Sequence, residues 1–324
     1  MESGFAPWET SWHQALYGPE GFYRRPEGPA GHFSTSVGGV PHAASVMASA
    51  VVALARRHDL RTIVDLGAAR GAFITAVHRL GPGMRCVGVD VVDRPHDLSE
   101  EIEWMISPGG AELPRDLSAL KDTLVFAHEW LDVVPTPVAE RDASGRWRHQ
   151  HVDPATGRTH LGDAVCGAQE QWLRRWTSTA RVAEVGLSRD HALADLVDRV
   201  EDGLVVAVDY GHETRDLPPE GTLTGYRAGR AVLPVPDGSM DLTAHVHLDA
   251  LLEHLRRRGV RVASRRQTDL LEDLLGAALR PAHATARSQP AAYLTALAEH
   301  GAHRVLREPG GFGDFWWVLA ELTR

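Results

Sequence analysis

Thiols are scarce: Cys86 and Cys166 are the only cysteines in 324 residues. That excludes a disulfide framework and a clustered-thiolate zinc site. Lysine is scarcer still, with Lys121 alone, so arginine carries nearly all the positive charge; a compositional bias of the genome accounts for it. There is no basic excess either. The net charge of −9 argues against a general nucleic-acid binder, because neutralising phosphates requires a basic surface. No apolar run is long enough to span a bilayer, and the best one, 43–55, reads as a core helix. The opening Met1-Glu2-Ser3 lacks the basic and apolar regions of a secretion signal. A cytoplasmic location without a membrane partner is therefore expected.

What is present is a core. At 43% hydrophobic residues, a chain of this length buries one large domain with an insertion, or two small ones. Residues 1–40 are rich in Gly, Pro and aromatics without clear periodicity and read as a loop-rich N-terminal arm. A helix is expected from about residue 41, with Pro41 at a tolerated first-turn position. Strand and helix patterns then alternate: strands at 61–66, 84–89, 102–106, 123–127 and 204–208, with a helix at 72–80 after the first. Short apolar runs alternating with helices imply a mostly parallel sheet covered on both faces.

Between the fourth and fifth strands the chain detours through 133–202, with a hairpin over 138–152 and helices near 168–181 and 189–200. A second irregular excursion covers 211–247. Long excursions from a compact sheet are often binding lids. Beyond them a helix at 248–258, a strand at 260–264, helices near 267–279 and 290–300, and a strand at 315–319 are expected. The division that follows is an arm and helix (1–60), a first core part (61–132), a lid or substrate subdomain (133–202) and a second core part (203–324).

Four groups of polar residues stand at strand ends, where an open α/β sheet binds its ligands. The first is Asp65-Leu66-Gly67-Ala68-Ala69-Arg70-Gly71. Glycines at such a turn let backbone N–H groups approach a ligand, and an acidic residue before them can reach it directly. The second is Asp90, about 20 residues past the turn, where a carboxylate accepts ribose hydroxyls. Together they point to a nucleotide cofactor. NAD(P) calls for G-x-G-x-x-G, whereas Gly67 and Gly71 are spaced G-x-x-x-G, which favours S-adenosylmethionine (SAM), a cofactor without a pyrophosphate. The third group is His128-Glu129-Trp130-Leu131-Asp132. It begins like a zinc-protease motif, but Asp132 replaces the second histidine, so no metal is expected. The fourth is Asp209-Tyr210-Gly211-His212, joined by Asp241 to His247.

In this order the motifs resemble the MidA-type methyltransferases, a family that includes a mitochondrial complex I assembly factor acting on arginine. The segments carrying the resemblance are Gly18 to Tyr23, Gly31 to Ser36, Asp65 to Gly71, Ile102-Glu103-Trp104, His128 to Pro135, Asp209 to His212 and Asp241 to Val246. His32 stands where the family has aspartate, and Ala68 and Ala69 stand where it has Pro and Gly. An alanine in such a turn calls for a negative φ.

The resemblance implies a class I SAM-methyltransferase fold, α/β, with a mostly parallel seven-stranded Rossmann-like sheet and an inserted subdomain. It implies cofactor contacts from Phe33, Thr35, Ser36, Trp104 and His128 beside Asp65, Gly67, Ala69, Gly71 and Asp90. For an arginine acceptor, Glu129 and Asp132 would clamp the guanidinium with Asp209 as a third carboxylate, and Tyr210 or His212 would assist proton loss. The acceptor is a protein side chain by resemblance. A small molecule, or a SAM-binding assembly factor without strong catalysis, are the alternatives, and pairing of two chains stays open.

Overall fold

The computed structural model describes residues 4–25, 39–278 and 280–323. In chain order the strands are β1 (Thr62–Leu66), β2 (Arg85–Asp90), β3 (Ile102–Ile106) and β4 (Thr123–His128). The insertion carries β5 (Val138–Arg141), β6 (Trp147–Val152), β7 (Thr159–Ala164) and β8 (Val182–Glu184). Then come β9 (Gly203–Asp209), β10 (Thr224–Arg227), β11 (Arg230–Val232), β12 (Asp241–Thr243), β13 (Arg261–Arg266) and β14 (Trp316–Leu322).

Seven of them form one sheet in the order β13-β14-β9-β4-β1-β2-β3. The five strands from β9 to β3 run parallel, and β14 is antiparallel to both its neighbours. Strand order reverses at β1, which has β2 on one side and β4 on the other, so the crevice above the β1 and β4 carboxyl ends is the topological switch point. Side chains alternate between two cores, as the two-residue strand period requires. Ile63, Leu124, Phe126, Leu204 and Val206 enter one; Val64, Val125, Ala127, Val205 and Ala207 enter the other. The first core is covered by α2 (Ala43–Arg57) and α3 (Ala72–Leu80). The fit is close because α3 turns Phe73, Ile74, Ala76 and Val77 inward.

The 1–40 arm is not all loop. Trp8–Tyr17 forms α1, burying Trp8, Trp12, Ala15 and Leu16 on one face. The spacing of those residues is helical; the flanking Pro7 and Gly18 mark its ends rather than an irregular segment. Phe33, Thr35, Ser36 and His32 lie outside the described residues. The helix expected from about Pro41 begins at Ala43, after His42 in a left-handed turn at φ 65°.

The hairpin expected over 138–152 is present and carries a third strand, β7, along β6. β7 went unread because its residues are nearly all exposed and show no apolar run. Ala6–Pro7 adds to the same sheet beside β6. Helices α4 (Gly167–Trp176) and α5 (Leu187–Asp198) complete the insertion. The 211–247 excursion folds into a small sheet in which β10 is flanked by β11 and β12. The chain then runs through α6 (Leu248–Arg257), α7 (Gln267–Leu275), α8 (His283–Ser288) and α9 (Pro290–Val305). Among the described residues no helix is long and apolar enough to cross a membrane.

Candidate functional site

The turn after β1 is built by backbone geometry. Gly67 takes φ 83° and Gly71 φ 75°, both left-handed. The amides of Gly67 and Ala68 donate to the Val89 carbonyl at 2.9 and 3.1 Å, locking the turn to β2. Among the described residues a Cβ added to Gly67 would meet nothing within 4 Å, so that face of the turn is open to a ligand on their side. Ala69 also adopts a left-handed conformation, φ 47°. The negative φ expected there is thus corrected, and the reason is a hydrogen bond: the Ala69 amide donates to Asp90 Oδ2 at 2.7 Å.

Asp65 and Asp90 flank this turn. The Asp65 side chain is buried, and its Oδ2 has no hydrogen-bond partner among the described residues. Burial, with the nearby Asp90 charge, pushes its carboxyl well above the usual range. Asp90 also accepts from the Val92 amide at 3.2 Å. Burial pushes it up to about 6, against the lowering effect of the Ala69 and Val92 amides. Trp104 Nε1 donates to the Val92 carbonyl at 3.0 Å, and its ring covers Gly88, where any Cβ would strike it at 2.5 Å. The set fits the expected cofactor. A buried carboxylate oxygen is left for a cationic amino group, the Gly67 face is open, and a second carboxylate stands at the β2 end for a ribose.

The neighbouring rim is acidic. Glu129 follows β4 in a left-handed conformation, φ 49°, with its amide donating to the Val208 carbonyl at 2.8 Å. Such a conformation is uncommon outside glycine and clusters at functional positions. Its Oε1 lies 3.5 Å from His128 Nδ1. His128 is stacked between Phe126 and Phe315, and burial drives its pKa down to about 3, so it stays neutral.

Asp132 is 2% exposed. Tyr210 Oη donates to its Oδ2 at 2.6 Å, while Oδ1 has no partner among the described residues; burial pushes it up to about 6.

Asp209 is spent differently. Its Oδ2 accepts the Leu131 and Asp132 amides at 3.0 and 3.1 Å and its Oδ1 the Tyr210 amide at 3.0 Å. It therefore shapes the loop after β4 and is not free to serve as a third clamp. His212 does not join the rim. Its ring packs against His247 and His245 at 5.0 and 6.1 Å, and burial lowers its pKa to about 3, which makes it a poor base. These imidazoles line a narrow cleft of about 20 Å³ with Trp172, Glu184 and Gly221, a cleft to which the 65–71 turn does not contribute. Among the described residues no group of three or more His, Cys, Asp or Glu side chains is placed to hold a metal ion.

Three participants were not read from the sequence. Arg189 of α5 is 2% exposed and lies under the rim. Tyr23 Oη donates to the buried Asp241 Oδ1 at 2.7 Å. Arg24 reaches from the arm to the Tyr17, Val91 and Pro108 carbonyls at 3.1, 3.1 and 3.4 Å, bringing a cation near Asp90. Only the Tyr23 signal was available beforehand, as an aromatic in the arm; the others depend on partners distant in sequence.

Among solved structures, a protein of Burkholderia thailandensis crystallised with S-adenosyl-homocysteine is similar, with a TM-score of 0.77 and 20% identity over 99% of this chain and 89% of that one. A native crystal structure from the same organism gives a TM-score of 0.75 and 21% identity over 99% and 88%. At those identities the likeness establishes the fold. No curated protein gives a significant sequence match. A family model described as "Putative S-adenosyl-L-methionine-dependent methyltransferase" matches residues 90–265, more than half of the chain and including Asp90, the Glu129–Asp132 rim, Asp209 and Asp241. The chain belongs to this family of SAM-dependent methyltransferases, and SAM is its cofactor.

Proposed function

We propose that the protein transfers the methyl group of SAM to a nitrogen of a protein side chain, with arginine the class implied by the resemblance to MidA-type methyltransferases. One observation carries this reading. The strand end beside the cofactor turn presents two carboxylates, Glu129 and Asp132, and Asp132 keeps a buried oxygen without a partner among the described residues. A buried, uncommitted carboxylate oxygen calls for a donor, and a planar guanidinium supplies two in a fixed fork.

SAM, when bound, supplies an electrophilic methyl on a sulfonium, so the protein's task is to position the nucleophile and exclude water. Asp65 and Asp90 would hold the cofactor, with Gly67 and Gly71 allowing close backbone approach, Ala69 completing the turn and Trp104 walling the site. Glu129 and Asp132 would orient the acceptor. The Tyr210 hydroxyl fixes the Asp132 carboxylate, and Asp209 fixes the loop that carries it. Tyr210, committed as a donor and pushed well above the usual phenol range by burial and by Asp132, is no base. Asp132, at about 6, is better matched to take the proton released after methylation.

A small-molecule acceptor is the second reading, and the cleft beside His212, His245 and His247 gives it little support, since at about 20 Å³ it has room for little more than a water molecule. Incubation with methyl-labelled SAM and a cell lysate, separated into macromolecular and small-molecule fractions, decides between them. Label in protein lost on Glu129→Gln, with SAM binding retained, supports the first reading. Label confined to small molecules supports the second. No transfer from either would leave a SAM-binding assembly factor.

A further inference from the structure

We infer that Arg189 is a positioning residue for the acceptor face, joining the segments that build it and supplying the positive charge that faces Asp132. The inference rests on the reading of Asp132 as an acceptor-binding carboxylate.

Arg189 projects from α5 of the insertion and is fully enclosed. Its Nε donates to the Val134 carbonyl at 3.2 Å and one terminal nitrogen to the Asp132 carbonyl at 2.7 Å. The other terminal nitrogen donates to the carbonyls of Ala244 and His245 at 2.9 and 2.8 Å. Its guanidinium carbon lies 5.7 Å from the centre of the Trp12 ring. A single side chain of the insertion therefore ties together the loop after β4, the excursion after β12 and the N-terminal helix.

These partners are neutral dipoles. They satisfy donors without neutralising the charge, and a buried cation without a counter-charge is costly. The compensating charges are Asp132, Asp209 and Glu184, each of which acts to raise the Arg189 pKa against its desolvation.

The effect is reciprocal. Asp132 is faced by Tyr210 and Arg189, which favour its charged form. It shares the region with the carboxylates of Asp209, Glu129 and Asp241 and the phenols of Tyr17 and Tyr23, which do not. Removing the guanidinium charge would leave Asp132 protonated near neutral pH and unable to pair with a cationic acceptor. Arginine suits this place better than lysine, because a planar fork reaches several fixed carbonyls while an ammonium is a point donor.

The test is a pH titration of the full chain carrying carboxyl-labelled aspartate, followed by carbon NMR, with the Asp132 signal assigned from Asp132→Asn. In Arg189→Gln the midpoint is expected to rise from about 6 by roughly one pH unit or more. Arg189→Lys is expected to stay within about half a unit of wild type, because it keeps the charge. An unmoved midpoint in Arg189→Gln, or an equal rise in both variants, would overturn the inference. If Arg189→Gln does not fold, as circular dichroism would report, Arg189→Met, a neutral side chain of similar reach, takes its place under the same criterion. The titration is independent of turnover: methyl transfer retained by Asp132→Asn would remove the acceptor reading while leaving the charge coupling measured.

Discussion

Ala69 pays a conformational cost to reach Asp90. A left-handed alanine costs roughly 1–2 kcal/mol, and glycine would relieve it at an added unfolded-state entropy of about 0.5–1 kcal/mol. Ala69→Gly is therefore expected to stabilise the protein by about 0.5–1 kcal/mol, read as a rise in Tm, with the hydrogen bond to Asp90 kept. An unchanged or lower Tm would mean the turn is not strained at that residue.

Asp241 makes the opposite kind of test. Buried and bonded to Tyr23, it is pushed up to about 7 by burial, so the folded state holds a proton that the unfolded state releases near its ordinary pKa. Its favourable contribution is complete below the unfolded pKa of about 4 and is lost as pH rises to about 7, at up to about 1.4 kcal/mol per pH unit. Asp241→Asn removes that dependence. Denaturant titrations should find the variant gaining on wild type between pH 4.5 and 7 and level with pH above that, on the order of the window this shift spans. A constant difference across the window would contradict the assignment. Both residues stood within motifs visible in the sequence, yet neither the positive φ nor the buried tyrosine partner, 218 positions away, could be read from it.

At the scale of elements, legibility follows burial. β1, β4 and β9 are buried on both faces, so their residues are nearly all apolar and their positions were plain. β7 offers no such signal because it lies exposed at the edge of the inserted sheet. α1 was hidden for a different reason: its buried face mixes Trp8, Ser11 and Trp12, so the amphipathic pattern is carried by large aromatics rather than a run of aliphatics. Trp12 is the centre of that element. It is wholly buried, donates to the Leu242 carbonyl at 3.0 Å and lies beneath Arg189. Trp12→Ala should cost roughly 3–5 kcal/mol, seen as a shift in denaturant midpoint. A loss below about 1 kcal/mol would show that α1 packs loosely and does not brace the 241–245 segment.

For the molecule as a whole, the sheet supplies a fixed switch point, and the arm, the insertion and the excursion each send a polar side chain toward it: Tyr23, Arg189 and Asp241. The main sheet and the two strand-end carboxylates of the cofactor turn were legible because they depend on local pattern. The division of labour on the rim was not. Asp132, Asp209 and His212 are alike in sequence as polar residues at strand ends, and only their hydrogen-bond partners separate an uncommitted carboxylate from a loop anchor and a buried imidazole.

SAM is expected to bind on the open face of the turn between Asp65 and Asp90. Calorimetric titration of the full chain with SAM tests it most directly, alongside Asp90→Ala and Gly67→Arg. Roughly micromolar binding by wild type, lost or weakened at least about tenfold in both folded variants, is the predicted result. Wild-type affinity in Gly67→Arg, whose added side chain would occupy the open face, would contradict it.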